Sequence, residues 1–165
     1  MKIKYAVALL VSLMMGACGF QLRQAPDFLF QTLYSTFPEA SPLAQEIRRN
    51  IEGTKKVEVI ADSKQIERAD VIFELLQELP QKVILARTST GLVRDFQLIL
   101  RVTFRLRARD GTELIPATEI IQQRDISFND SAALSKESEE QLLYRDMRSD
   151  IAQQIMRRIS AVRKQ

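Results

Sequence analysis

The residues best suited to chemistry in this chain are arginines. Arg101, Arg105, Arg107 and Arg109 share one parity along a single stretch, and Arg94 stands just before it. In a strand, residues of one parity lie on one face, and at about 3.3 Å per residue Arg105 to Arg109 would span roughly 13 Å. Guanidinium groups grip phosphates through paired N–H donors, so this row fits an anionic lipid head group. The commoner arrangement for such a row is a solvated face neutralised across the sheet, here by Glu74, Glu78, Glu113 or Glu119. Lys136, in the polar approach to the last apolar segment, reads as an ordinary surface lysine.

Little else offers catalysis. Histidine is absent and there is one cysteine, which removes Ser/His/Asp triads, Cys/His pairs, His-based metal sites and structural disulfides. No Gly-rich phosphate loop occurs, and no acidic cluster has calcium-loop spacing. No motif asks for a metal or a cofactor. A carboxylate pair stays open as an enzymatic alternative, since distance in space defines it and 21 acidic residues are available. The formal charge of +3 is too small to indicate a nucleic-acid binder.

The first residues address the chain. Lys2 and Lys4 precede an apolar stretch from Tyr5 to Met15, followed by the small residues Gly16 and Ala17. That order is a secretory signal. The uncharged span from Tyr5 to Leu22 just reaches the lower limit for crossing a bilayer, but Gly16, Gly19 and Gln21 dilute its second half. Met15-Gly16-Ala17-Cys18 resembles the bacterial lipobox, with Met15 where leucine is usual. The resemblance implies cleavage after residue 17 and a diacylglyceryl thioether and an N-acyl chain on Cys18. Such chains anchor a protein durably, because each buried methylene adds about 0.8 kcal/mol. Gly19 after the cysteine implies sorting to the outer membrane, on its periplasmic side. Export to that compartment also argues against a nucleic-acid partner. The other reading of a lone cysteine is a buried free thiol. The chain thus divides into a signal (1–17), a lipidated tether (18–27) and one domain (28–165).

The elements that must position these residues are separated by proline and glycine. Phe28 to Phe37 reads as a first strand, ended by Pro38. Ser41-Pro42 is an N-cap before a first-turn proline, and Leu43, Ile47 and Ile51 make a helix face that stops at Gly53. Val57 to Ile60 reads as a short strand, Val71 to Leu79 as a strand ending at Pro80, and Val83 to Thr88 as its continuation before a turn at Ser89-Thr90-Gly91. From Phe96 to Ala108 the even residues are apolar and the odd ones polar except Ile99, the period of a half-buried strand. Asp110-Gly111 is a type I′ hairpin signal, returning a strand broken near Pro116 and resuming over Ala117 to Phe128. The closing helix carries an apolar ridge of Leu143, Met147, Ile151, Ile155, Ile159 and Val162. Ser138 with Gln141 reads as its capping box, and Arg157, Arg158, Arg163 and Lys164 suit its C-terminus. The expected fold is α+β, with two helices packed on one face of a mostly antiparallel four- to five-stranded sheet.

Several stretches in this order resemble the LptE family of LPS-assembly lipoproteins: Cys18-Gly19-Phe20-Gln21-Leu22-Arg23, Ser41-Pro42-Leu43 with Arg48-Arg49-Asn50, Asp95-Phe96-Gln97-Leu98, and Phe128-Asn129-Asp130 through Lys136-Glu137 into the Leu142 to Ile159 helix. The resemblance implies the same architecture and a non-enzymatic role. Such proteins sit as a 1:1 plug in the outer-membrane β-barrel LptD, assist its assembly and contact lipopolysaccharide in transit. It carries lipopolysaccharide contact onto Lys136 and the turn from Arg87 to Arg94. Ser89 and Thr90 stand at that turn where the family has a basic residue, so the charge there falls to Arg87 or Arg94. Arg101, Arg105 and Arg107 join them as contact candidates from the stripe. The rival reading is an accessory or scaffold lipoprotein of another envelope machine, for barrel assembly or lipid transport.

Overall fold

Alternation along the central strand divides the molecule into a dry side and a wet side. In the computed structural model, which describes residues 27–128 and 133–162, β4 (Val93–Ala108) buries Leu98, Leu100, Val102, Phe104 and Leu106 completely. Its odd residues stay partly exposed. Ile99, the one interruption, lies on the wet face between Gln81 and Gln123. β4 pairs antiparallel with β3 (Val71–Arg87) on one side and β5 (Glu113–Ser127) on the other.

Both hairpin turns use the same three-residue loop. Ala108 and Thr112 close one loop and Thr88 and Leu92 the other, with Gly111 at φ 93° and Gly91 at φ 86°. Asp110 does not adopt positive φ, so the Asp110-Gly111 turn is not type I′. It is a three-residue loop whose last position needs the left-handed backbone that glycine supplies.

β3 does not end at Pro80. It runs unbroken to Arg87, because beyond Ile72 it is an edge strand, and proline is tolerated where only one ladder loses a donor. A bulge at Leu76 is the more consequential feature. Before it, Val71, Phe73 and Leu75 face the core; after it, Glu78, Pro80, Lys82 and Ile84 pair with the core-facing residues of β4. On β5, Pro116 and Ala117 form a comparable irregularity opposite Phe104 and Leu106, within one strand rather than between two.

The remaining strands are short. β1 is confined to Thr32–Tyr34, although Phe30, Leu33 and Phe37 all pack in the core. It is parallel to both β2 (Glu58–Ile60) and β3, giving the order β2-β1-β3-β4-β5. The Phe28 to Phe37 run is therefore mostly irregular chain held by its aromatic side chains. Asp70 fastens it, since its carboxylate accepts the backbone N–H groups of Gln31 and Thr32 at 2.9 and 3.0 Å.

Helix α1 (Pro42–Gly53) has Ser41 as N-cap, its hydroxyl accepting from Ala44 N at 3.0 Å. It buries Leu43, Ala44, Ile47 and Ile51. Gly53 is its last residue, and the left-handed turn falls on Lys55 at φ 56°. A 3-10 turn (Ser63–Arg68) leads from β2 into β3. Helix α2 (Ala133–Ser160) buries Met147, Ile151, Ile155 and Ile159 beside α1 and the sheet. It begins before Ser138, whose hydroxyl donates to Leu134 O one turn back, so Ser138 and Gln141 are interior residues and not a capping box. The signal, Cys18, the tether as far as residue 26, Asn129, Asp130, Arg163 and Lys164 lie outside the described residues.

Candidate functional site

Three of the stripe's four arginines are paired with carboxylates within the sheet. On the face away from the helices, Arg101 pairs with Glu119 at 2.8 Å, and Arg105 and Arg107 share Glu74 at 2.8 and 3.2 Å. Arg105 also approaches Glu113 at 3.8 Å. Arg109 donates to the Glu67 carbonyl at 2.8 Å. Glu74, Glu113 and Glu119 are thus the cross-strand partners, as register dictates. Glu78 is not, because the Leu76 bulge turns it to the helix side.

Arg87 and Arg94 flank the β3–β4 turn. Arg87 donates to the Gly91 carbonyl at 3.0 Å, and Arg94 pairs with Asp95 at 2.7 Å. Around them the tip is apolar and wet: Leu85 is 50% exposed and Leu92 60%. From Leu79 to Leu85 every β3 residue is exposed, so the hairpin projects as an arm beyond the core.

Polar contacts with α2 hold that arm. Glu78 accepts from Arg148 at 2.7 Å and from the Ser41 hydroxyl, joining β3, α2 and the α1 cap at one carboxylate. The Tyr144 hydroxyl donates to the Gln81 carbonyl at 2.6 Å. Burial, reinforced by nearby Glu140, pushes that phenol above its ordinary range. Arg124 of β5 reaches Asp150 at 3.0 Å. Among the described residues, no buried side-chain polar atom lacks a hydrogen-bond partner.

Between the arm and the start of α2 lies a cleft of about 320 Å³. Ile126 and an edge-to-face pair, Phe96 and Phe128 with centroids 5.4 Å apart, supply its apolar surface. Two lysines supply its positive charge, and Glu137 and Glu140 its negative charge. Lys82 lies over the Phe96 ring, Nζ 4.3 Å from the centroid, and pairs with Glu140 at 2.6 Å. Lys136 pairs with Glu139 at 2.8 Å and donates to the Ser127 hydroxyl at 3.3 Å. Cations beside an aromatic and aliphatic surface suit an anionic amphiphile, with phosphate on the ammonium groups and hydrocarbon on the rings.

Of the sequence candidates, the structure brings Lys136 into this cleft. Arg87 and Arg94 stand on either side of the β3–β4 turn with separate partners, and Arg101, Arg105 and Arg107 line the face away from the helices. Lys82 was missed. A lysine in an apolar run gives no sign of its face when a bulge upstream has reversed the parity. Among the described residues, no group of His, Cys, Asp or Glu side chains is gathered to hold a metal ion.

Comparison with known proteins places this geometry. The family described as LptE, lipopolysaccharide-assembly, matches residues 30–159. The LPS-assembly lipoproteins LptE of Yersinia pestis (strain Pestoides F) and Yersinia pseudotuberculosis serotype O:1b (strain IP 31758) are each 28% identical over 156 residues, covering 93% of this chain and 73% of theirs. The solution NMR structure of uncharacterized lipoprotein B from Nitrosomonas europaea has a TM-score of 0.73 at 33% identity, over 87% of this chain and 91% of that one. Rare lipoprotein B from Shewanella oneidensis shares the fold, with a TM-score of 0.63 at 22% identity over 79% of this chain and 92% of that one. The family is non-enzymatic. The matched span runs through all five strands and both helices, and the chain belongs to the LptE family of lipopolysaccharide-assembly lipoproteins.

Proposed function

We propose that this lipoprotein plugs the outer-membrane β-barrel LptD, helps it assemble, and contacts lipopolysaccharide on its way to the cell surface. In this reading residues 1–17 are removed, Cys18 carries the lipid, residues 18–27 tether a single domain (28–165), and the domain lies on the periplasmic side of the outer membrane. Family membership supports the role. The observation that carries the lipopolysaccharide contact is the cleft, where Lys136 shares an aromatic surface with a second cation, Lys82.

The geometry fits transfer better than storage. Phosphate groups of lipid A would meet ammonium groups already held by carboxylates, so gain and loss nearly balance and the ligand leaves readily. The apolar surface is a rim-open cleft and not a closed cavity, so acyl chains would rest on it without being enclosed. The arm tip, with Arg87 and Arg94 beside exposed Leu85 and Leu92, offers a further contact of the same character.

The test uses the tagged, full-length lipoprotein expressed in its native envelope and extracted mildly. A stoichiometric large β-barrel and bound lipopolysaccharide are expected, with lipopolysaccharide retention falling several-fold in Lys136→Asp while the barrel stays. Recovery with a different envelope complex would assign the chain to another machine and refute the proposal.

A further inference from the structure

Three carboxylates stand at the cleft: Glu137 and Glu140 line it, and Glu139 pairs with its Lys136. Lys136 and Glu139 are one turn apart on α2 and paired at 2.8 Å, while the next residue, Glu140, reaches across to Lys82 on β3 at 2.6 Å. Each ammonium group facing the cleft is therefore occupied by an acid from the same helical turn. Both pairs are partly wet: the side chains are 22% and 47% exposed in the first, 36% and 23% in the second. Pairs of that exposure are weakly held and exchange partners at little cost.

We infer that Glu139 and Glu140 are resident counter-ions that compete with the phosphate groups of an anionic amphiphile for Lys136 and Lys82, and so set how tightly the cleft holds it. This rests on the lipopolysaccharide contact proposed above and adds its regulation. Loading exchanges a carboxylate for a phosphate at each lysine. A mono- or bis-phosphorylated ligand then gains one or two exchanges, so the site discriminates by phosphate number as well as by hydrocarbon. Lys82 carries a second role: its ammonium group lies over the Phe96 ring, 4.3 Å from the centroid, and this cation–π contact keeps it in the cleft whether or not Glu140 holds it.

Binding of lipid A bisphosphate to the full-length lipoprotein in nonionic detergent tests this. Glu139→Gln with Glu140→Gln should tighten binding roughly three- to tenfold, the yield of freeing two half-exposed pairs. Lys82→Gln should weaken it several-fold, and the dephosphorylated lipid should show neither effect. Glu58→Gln with Glu67→Gln, which makes the same change in net charge at the far end of β3, should shift binding less than twofold. Tightening by that remote pair to the same degree would reduce the effect to overall charge and overturn the inference. If the unsubstituted protein binds and Lys136→Asp does not, yet the Glu139/Glu140 variant binds unchanged, the counter-ion role is refuted while the contact at Lys136 stands. No binding by any form would refute both.

Discussion

The Glu78–Arg148 pair and the Arg101–Glu119 pair join the same two kinds of charge at nearly the same distance, 2.7 and 2.8 Å, on opposite faces of one sheet. They differ in water. Glu78 and Arg148 are 12% and 20% exposed, against 43% for Glu119 and 35% for Arg101. At 2.7 Å the bare attraction is about 6 kcal/mol for an effective dielectric near 20, most of which desolvation cancels. Removing one partner of a fully buried pair costs about 3–5 kcal/mol, so Glu78→Ala, with some water still present, should cost about 2–3 kcal/mol. Glu119→Ala should cost about 0.2–1 kcal/mol. Double-mutant cycles with Arg148→Ala and Arg101→Ala, read by chemical denaturation of the detergent-solubilised lipoprotein, isolate the two couplings. The Glu78 coupling should exceed the Glu119 coupling at least twofold, and Glu78→Ala should lower Tm by about 4–12 °C. Equal couplings would refute the claim that burial decides the strength of these pairs. They would also remove Glu78 as the fastening of the arm.

The alternation of β4 predicts that Leu100→Ala, in the core, costs about 2–5 kcal/mol, whereas its neighbour Ile99→Ala, on the open face, costs under about 1.5 kcal/mol; paired urea titrations compare them. Gly111→Ala meets no atom within 4 Å, so its cost is backbone strain alone, about 1 kcal/mol, seen as a lowered denaturation midpoint with an unchanged slope. Asp70 is held below its usual range of about 3.8 chiefly by the Gln31 N–H, with Thr32 and Arg109 adding to the effect. Its folded-state pKa is depressed, so it stabilises the protein above its unfolded pKa and loses that contribution as pH falls through the folded value. The stability gap between the parent and Asp70→Asn should therefore be full near pH 6 and shrink below about pH 4, as denaturation at stepped pH would reveal.

Periodicity carried the parts of this fold that repeat. The even residues of β4, the Ser41-Pro42 cap and the Met147-Ile151-Ile155-Ile159 ridge each combine several cues that agree, and each stands where the sequence puts it. Single-residue irregularities did not announce themselves. Leu75 and Leu76 are both apolar, so nothing marks which of them faces the core, and the bulge at Leu76 decides the face of Glu78 and Lys82. Pro80 and Pro116 read as breaks because proline lacks a ladder donor, but on edge strands that lack is tolerated. Ser138 and Gln141 have capping-box spacing, yet Ala133 to Lys136 extend the helix upstream of them. The candidate site divides the same way. Lys136 was reached through family resemblance, and the acid partners of the arginine stripe through strand pairing. Lys82, with the Phe96–Phe128 surface, needed the three-dimensional register.

A plug is surrounded, and that is its most direct signature. A photoreactive residue placed in vivo at Leu79 or Ile121 reports the open face of the sheet, at Leu92 the arm tip, and at Leu142 the outer side of α2, all of which are exposed. All four positions should crosslink to one and the same large β-barrel, and a residue at buried Leu100 should not. Crosslinks from one face only, or to different partners from the two faces, would contradict the plug proposal.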